Sequence, residues 1–99
     1  MGNGMSYETF VGRMSEGFDV PLDIKGAALG LAGEAGEVAD AVKKAFYHVK
    51  DGHSIDPLEF REHLGEELGD TLFYLTWLAF SFLGRDLESI QNQNRAKLG

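Results

Sequence analysis

Apolar residues recur at intervals of three and four along most of the chain, which is the spacing of helices with one buried face. No segment alternates convincingly between apolar and polar positions, so no β-strand is predicted. The first predicted helix covers about residues 6–17, with Ser6 as its N-cap, and a loop containing Pro21 follows it at residues 18–23. Its apolar face consists of Tyr7, Phe10, Val11 and Met14.

The second predicted helix covers about residues 22–49 and ends at the Lys-Asp-Gly sequence of residues 50–52. Four residues oppose a helix on propensity alone: Gly26, Gly30, Gly33 and Gly36. The helical spacing of six other residues outweighs them: Leu31, Ala35, Val38, Val42, Phe46 and Val49. The face opposite the large apolar residues has bare backbone that another helix or a ligand can approach closely. Its members are Gly26, Gly30, Gly33, Glu37, Ala41 and Lys44.

The third predicted helix has the clearest start, with Asp56 as the N-cap, Pro57 in the first position and Glu59 at the capping-box position. It is predicted to run to Leu83 and to stop at Gly84, and the fourth helix starts at Asp86. The residues that the fourth helix turns inward are predicted to be Leu87, Ile90, Asn94 and Leu98.

The end of the third helix is apolar on every side, which is typical of a helix that is buried on every side. A chain of 99 residues has little material to surround it. We therefore expect a second subunit to cover part of this helix. The simpler interpretation is that the other three helices of the same chain suffice.

Composition narrows the class of protein. The length predicts a single domain over residues 1–99, and the absence of cysteine excludes disulfide scaffolds, thiolate zinc sites and a cysteine nucleophile. The longest apolar run, residues 71–83, is shorter than the roughly 20 residues of a membrane span, and residues 1–5 do not have the pattern of a secretory signal. The net charge of −7 argues against nucleic acid. We expect a soluble, cytoplasmic protein with neither a membrane nor a nucleic-acid partner.

Two pairs of acids carry the candidate chemistry. Glu34 and Glu37 are three residues apart and share a face of the second helix, but such pairs are common on solvated surfaces. Glu67 and Asp70 are more informative, because they interrupt the apolar stripe of the third helix, and a buried carboxylate must be paired, protonated or bound to metal. The alternatives to metal are partial exposure at the end of the bundle and an internal ion pair with Lys43, Lys44 or Lys97.

Four carboxylates on two helices that are predicted to pack antiparallel in one bundle favour a hard cation. Carboxylate oxygens are the ligands that Mg²⁺ and Mn²⁺ prefer, whereas zinc sites use histidine or cysteine. Di-iron bundles use Glu-x-x-His, and no glutamate lies three residues before His48, His53 or His63. Bound metal would also present positive charge to phosphate, which makes the acidic chain compatible with a triphosphate substrate.

At these residues the sequence resembles the MazG-like nucleotide pyrophosphohydrolases, which belong to the all-α nucleoside triphosphate pyrophosphatase superfamily. The stretch LGLAGEAGEVA (residues 29–39) resembles the first acidic motif of that family, Glu-x-x-Glu, and EELGD (residues 66–70) resembles the second, Glu-x-x-Asp. NRAK (residues 94–97) resembles the Asn-x-x-Lys that often follows. The likeness covers about residues 6–98. One departure is Gly33, which occupies a position where many members carry a further glutamate, so the number of metal ions stays open.

The resemblance implies an all-α, four-helix MazG-like bundle completed by oligomerisation, either as a homotetramer built from two dimers or as a homodimer. It implies Mg²⁺, with Mn²⁺ as a substitute, and hydrolysis of nucleoside triphosphates to monophosphate and pyrophosphate. We expect dNTP substrates and a role in nucleotide-pool housecleaning. The expected metal-binding and catalytic residues are Glu34, Glu37, Glu67 and Asp70. The expected substrate-binding residues are Asn94, Lys97 and Lys44, although the first two also fit an ordinary polar helix end.

Two other interpretations stay open. The acids can simply solvate the surface of a non-enzymatic, oligomeric helical interaction module, which predicts no stabilisation by Mg²⁺. Alternatively, the chain is a related pyrophosphatase that acts on dUTP or phosphoribosyl-ATP. The metal site would then be the same, so substrate profiling separates these enzymes.

Overall fold

The computed structural model describes residues 4–17, 23–47 and 56–99. The described residues form helices and no strand, which confirms the predicted all-α class. The elements are α1 (Tyr7–Ser15), α2 (Ile24–Tyr47), α3 (Pro57–Trp77), a π-helical turn (Leu78–Phe82) and α4 (Leu87–Leu98). No helix in the described ranges is both long enough and apolar enough to cross a bilayer.

Three helices begin at the predicted capping residues. The Ser6 hydroxyl accepts a hydrogen bond from the Thr9 amide at 3.1 Å. The Asp56 carboxylate accepts from the amides of the first turn of α3, and the Asp86 carboxylate accepts from the Ser89 amide at 2.9 Å. Each side chain accepts a hydrogen bond from an amide that has no partner within the helix. Because the cap and the amide are close in the sequence, the start of a helix can be predicted from the sequence.

The start of α2 differs from the prediction. The helix begins at Ile24 rather than at residue 22, because the carboxylate of Asp23 caps it by accepting a hydrogen bond from the Gly26 amide at 2.9 Å. The predicted end at residue 49, the stop at residues 50–52 and the loop around Pro21 lie outside the described residues.

α2 and α3 pack against each other in antiparallel directions. Gly30 meets Tyr74 near the start of α2, whereas the rings of Phe46 and Phe60 meet edge to face at the other end, with centroids 5.7 Å apart. The approach at Gly30 is close, since a Cβ atom there would lie 2.3 Å from the Tyr74 ring. Gly30 therefore packs against α3, which was one of the two predicted uses of the small-residue face, whereas Gly33 on the same face is exposed. The buried alanines of α2 are Ala27, Ala41 and Ala45.

The third helix was predicted to stay α-helical to Leu83, but its last part is not α-helical. A π-helical turn, Leu78–Phe82, follows α3, and the chain then turns at Gly84, whose φ of 67° favours glycine. The Arg85 amide donates to the Ala79 carbonyl oxygen at 2.9 Å and closes the turn. Trp77 and Ala79 are buried, so neighbouring helices of the same chain cover one side of this segment.

A hydrogen bond links α1 to the start of α4. The Glu8 carboxylate on α1 accepts from the amide of Leu87, the first residue of α4, at 2.8 Å. Leu87 and Ile90 are half-buried as predicted, but Asn94 and Leu98 are exposed, so the prediction that they face inward is wrong. The reason is that α4 packs on the π-helical turn near its own beginning, and its later turns extend past the other helices.

Large apolar side chains remain on the surface of the single chain. They include Leu68 and Leu72, which lie one turn apart on α3, and Val42 and Phe46, which lie one turn apart on α2. The apolar face predicted for α2 is thus only partly covered. Its large residues lie beside the small-residue face that packs on α3, and their outer sides contact no other described element closely enough to be buried.

Candidate metal centre

Three of the four predicted acids meet where α2 lies against α3. Glu34 of α2 and Glu67 and Asp70 of α3 each bring one carboxylate oxygen into a group whose members all lie within 4.8 Å of one another. Glu67 and Asp70 share a face of α3 because they are three residues apart, and the antiparallel packing places Glu34 opposite them. The group unites one acid of the first motif with both acids of the second.

The electrostatics of this group favour a bound cation. Glu34 is half-buried, and its pKa is raised above the ordinary value, first by burial and then by the negative charges of Asp70, Glu67 and Glu37. A raised pKa means that the ionised form is disfavoured, because like charges repel and because burial removes water. A divalent cation would reverse this balance by attracting all three carboxylates.

Glu37 lies apart from the group of three. Its side chain is exposed, one turn further along α2, and its charge reaches the group as the weakest of the influences that raise the pKa of Glu34. Gly33, next to Glu34 on α2, is also exposed, and a Cβ atom there would meet nothing within 4 Å. The structure thus brings together Glu34, Glu67 and Asp70 but not Glu37.

Tyr7 on α1 was assigned to a packing face from the sequence, but it lies near the carboxylates. Its pKa is raised by burial and, to a smaller extent, by the negative charge of Asp70. The cause is the packing of α1 against α3. The hydroxyl group of Tyr7 on an otherwise apolar face was the available signal. The pattern of residues within α1 does not show where α1 lies relative to α3.

His63 is a second residue near the group that the motifs did not indicate. Its Nε2 lies 4.0 Å from an oxygen of Glu67, and its Nδ1 lies 3.9 Å from an oxygen of Glu66. His63 precedes Glu67 by four residues, so the two side chains share a face of α3. Helical spacing alone was sufficient to find this neighbour.

Lys44 lies further along α2 from the acids. Its ammonium group is 3.0 Å from a carboxylate oxygen of Asp40, and its pKa is raised by this hydrogen bond and by the charges of Asp40 and Glu37. The side chain also lines a groove between α2 and α3 together with Phe60 and His63. Lys44 therefore lies in the groove beside the grouped acids, and its positive charge is already paired with the carboxylate of Asp40.

Asn94 and Lys97 lie elsewhere in the single chain. They line a separate groove of about 420 Å³ on α4, together with Leu83, Arg85 and Ile90, and none of the grouped acids lines it. Within one copy, the structure therefore does not bring these two predicted substrate-binding residues to Glu34, Glu67 and Asp70.

Two antiparallel helices bring three carboxylates together. The protein is therefore a helical protein with a candidate metal centre whose ligands are all oxygen atoms. Hard divalent cations fit such a donor set, and they can hold and polarise phosphate oxygens. The sequence profile of the MazG nucleotide pyrophosphohydrolase domain matches residues 24–99, which include all four predicted acids. The chain belongs to the MazG nucleotide pyrophosphohydrolase family.

A relative with a curated description comes from a bacteriophage. The "Gene 37 protein" of Mycobacterium phage L5 is 39% identical over 70 residues, which cover 71% of this chain and 58% of that protein. The chain thus spans less than two thirds of the relative's length, and the relative's name states no activity. No solved structure matches the chain significantly.

Proposed function

We propose that the protein is an Mg²⁺-dependent hydrolase that converts nucleoside triphosphates, chiefly dNTPs, to nucleoside monophosphate and pyrophosphate. Its role would be the removal of unwanted nucleotides from the pool. The observation that carries this proposal is the group formed by Glu34, Glu67 and Asp70, which lies inside the stretch that matches the family. We further propose that residues 1–99 act as one domain, since α1 packs on α3 and bonds to the start of α4.

The proposed roles follow from the positions of the side chains. Glu34, Glu67 and Asp70 would hold Mg²⁺, or Mn²⁺ in its place, through their clustered oxygens. The ion would supply positive charge to the triphosphate and lower the pKa of water. Glu37 is exposed and outside the group of three, so its carboxylate is free to orient the water that attacks the α-phosphorus. Cleavage there releases pyrophosphate, and no residue of the chain forms a covalent bond with the substrate.

We also propose that the working form is a homodimer or a homotetramer made of two dimers. One chain exposes 7376 Å², whereas a monomeric protein of its mass exposes about 5,600 Å² by the usual scaling. The difference is of the order that a protomer contributes to an extensive interface. Asn94 and Lys97 lie away from the acids of their own chain, so we assign them to phosphate contacts made with a neighbouring copy.

The reaction is tested by incubating the protein with a panel of NTPs and dNTPs, with and without Mg²⁺, and identifying the products by ion-exchange chromatography. Monophosphate and pyrophosphate, formed only with the metal, are the expected products. Diphosphate and phosphate would show that the reaction class is wrong. Absence of product over the whole panel, together with a melting temperature that Mg²⁺ leaves unchanged, would favour a non-enzymatic helical module.

A further inference from the structure

A groove of about 350 Å³ runs between α2 and α3 beside the candidate metal centre. On the α2 side it is lined by Ala41, Lys44 and Ala45, and on the other side by the N-cap Asp56 and by Glu59, Phe60 and His63 of α3. None of the four acids of the proposed reaction lines this groove. Its position and its chemistry both suit one part of a nucleotide.

The groove is continuous with the acids through His63. This residue lines the groove, and its Nε2 lies 4.0 Å from an oxygen of Glu67. His63 lies four residues before Glu67, about 6 Å along the helix axis, and Phe60 lies seven residues before it, about 10 Å along the axis. A substrate whose phosphates lie on the acids and whose body follows the groove would thus place its sugar beside His63 and its base beside Phe60.

The floor of the groove suits a planar ring. The Phe60 side chain is half-buried and held edge to face against Phe46, and Ala41 and Ala45 beside it are buried and small. Nucleic-acid bases stack favourably on aromatic side chains, whatever the base. An aromatic ring with small neighbours leaves one face of that ring accessible to such a partner.

The charges of the groove exclude the phosphate end. Asp56 and Glu59 both bring carboxylates to its lining, while the single lysine, Lys44, already pairs with Asp40 at 3.0 Å. Phosphates would be repelled here, whereas hydrogen-bond donors would be attracted. The Oδ1 of Asp56 accepts hydrogen bonds from the amides of Leu58 and Glu59 and holds that carboxylate at the start of the helix. Glu59 lines the groove one turn further along α3, nearer to the grouped acids, which makes it the better placed acceptor for a ligand.

We infer that this groove binds the nucleoside part of the substrate, with the base on Phe60 and its exocyclic amino group donating to Glu59. Cytosine and adenine have an exocyclic amino group, which donates hydrogen bonds to a carboxylate. Thymine has a carbonyl oxygen in that place, which cannot donate. The enzyme therefore prefers dCTP and dATP to dTTP and dUTP. This inference rests on the proposed function, because it takes the triphosphate to lie on the acids.

The test compares kcat/KM for dCTP, dATP, dTTP and dUTP in the wild type, Glu59→Ala and Glu62→Ala. Glu62 is an exposed glutamate of the same helix that does not line the groove, so it controls for the loss of one charge. Glu59→Ala should lower kcat/KM about tenfold for dCTP and dATP alone, since a charge-assisted hydrogen bond is lost. Phe60→Leu should raise KM for all four nucleotides. The inhibition constant of pyrophosphate should change in neither groove variant, because pyrophosphate has no nucleoside.

The outcomes separate the two ideas. Equal profiles for Glu59→Ala and Glu62→Ala, or an unchanged KM in Phe60→Leu, would overturn the groove assignment while wild-type release of pyrophosphate left the proposed reaction intact. A rise in the inhibition constant of pyrophosphate in Glu59→Ala would also overturn it, because the phosphates would then lie in the groove. A wild type that cleaves no nucleotide with Mg²⁺ would refute the proposed function, and the groove assignment with it.

Discussion

At the scale of single residues, Glu34, Glu67 and Asp70 bring three carboxylates into one small volume between two helices. Two like unit charges 4 Å apart repel by about 1 kcal/mol in water, and by more where the surroundings are less polar. These carboxylates therefore repel one another, and this repulsion adds to burial, the larger cause, in raising the pKa of Glu34. Either a bound cation or the removal of one charge should relieve it.

Glu67→Gln should abolish turnover and leave folding intact or improved. The amide keeps the shape of the side chain but removes one charge from the group, and a gain of about 1 kcal/mol raises the melting temperature of a domain of this size by roughly 4–8 °C. Activity and thermal melting without metal measure the two effects. Glu66→Gln is the control, because Glu66 is an exposed neighbour outside the group. An active Glu67→Gln enzyme would contradict the metal assignment, and an unfolded one would indicate a structural ion pair.

Mg²⁺ should raise the melting temperature of the wild-type protein, since a ligand that binds only the folded state stabilises it by about 2.7 kcal/mol at 100 times its dissociation constant. Asp70→Asn should lose most of this response, because one of the three grouped carboxylates is gone. The measurement is a series of melts over Mg²⁺ concentration, with NaCl at matched ionic strength as the control. A response of equal size in Asp70→Asn would place the ion elsewhere.

At the scale of the helices, small residues decide how α2 meets α3. Gly30 lets the ring of Tyr74 lie against the backbone of α2, and the buried alanines Ala41 and Ala45 continue the contact toward the other end. Close backbone approach sets both the rotation and the register of the pair. These in turn place Glu34 opposite Glu67 and Asp70, so the packing determines the geometry of the candidate metal centre.

Gly30→Ala should destabilise the protein, although alanine favours a helix by about 1 kcal/mol over glycine. The added Cβ would lie 2.3 Å from the Tyr74 ring, and overpacking typically costs about 1–3 kcal/mol. Gly36→Ala is the matched control on the same helix, where a Cβ meets nothing within 4 Å and stability should rise. Urea unfolding measures both. If the two variants gained equal stability, the described contact at Gly30 would be wrong.

Glu8→Ala should loosen α4 from the rest of the chain. The Glu8 carboxylate accepts from the Leu87 amide at 2.8 Å, and loss of such a cap costs about 0.5–2 kcal/mol. The expected sign is faster hydrogen exchange in the first turn of α4, together with lower stability. Glu16→Ala, an exposed change at the other end of α1, should leave that exchange unaltered. Equal exchange in both variants would mean that the bond does not hold α4.

At the scale of the whole molecule, the single chain buries few large side chains. Its buried core in the described residues is mostly small, while leucines such as Leu68 and Leu72 and the ring of Phe46 stay exposed. Exposed apolar patches of this kind mark interaction surfaces. A second copy would cover them without any change in the helices, and this is the physical basis for the proposed oligomer.

Leu72→Glu should lower the mass in solution toward 10.9 kDa, since a charge in an apolar interface opposes association. Light scattering after size-exclusion chromatography should give two or four times that mass for the wild type. Leu58→Glu is the control on the same helix, because Leu58 is 76% exposed at the start of α3, several turns before Leu72. A monomeric wild type would contradict the proposed oligomer, as would a Leu72→Glu variant that keeps the wild-type mass.

The sequence alone determined the features that depend on neighbours along the chain. Ser6, Asp56 and Asp86 were recognisable as helix starts, because a cap bonds to amides two or three residues away. The spacing of Glu67 and Asp70 placed both on one face of α3 for the same local reason. Helical periodicity and the family resemblance also predicted the all-α class and the family, which the fold and the family match confirm. The roles of the four acids stay predictions.

Only the tertiary structure decided which of the acids meet. Glu34 joins the group whereas Glu37 does not, and this depends on the rotation and register of α2 against α3, which contacts such as that between Gly30 and Tyr74 determine. The approach of Tyr7 to Asp70 and the π-helical turn after α3 likewise arise from packing. Periodicity reports which face of a helix is apolar, but it does not report what lies against that face, because contacts between helices join residues far apart in the chain.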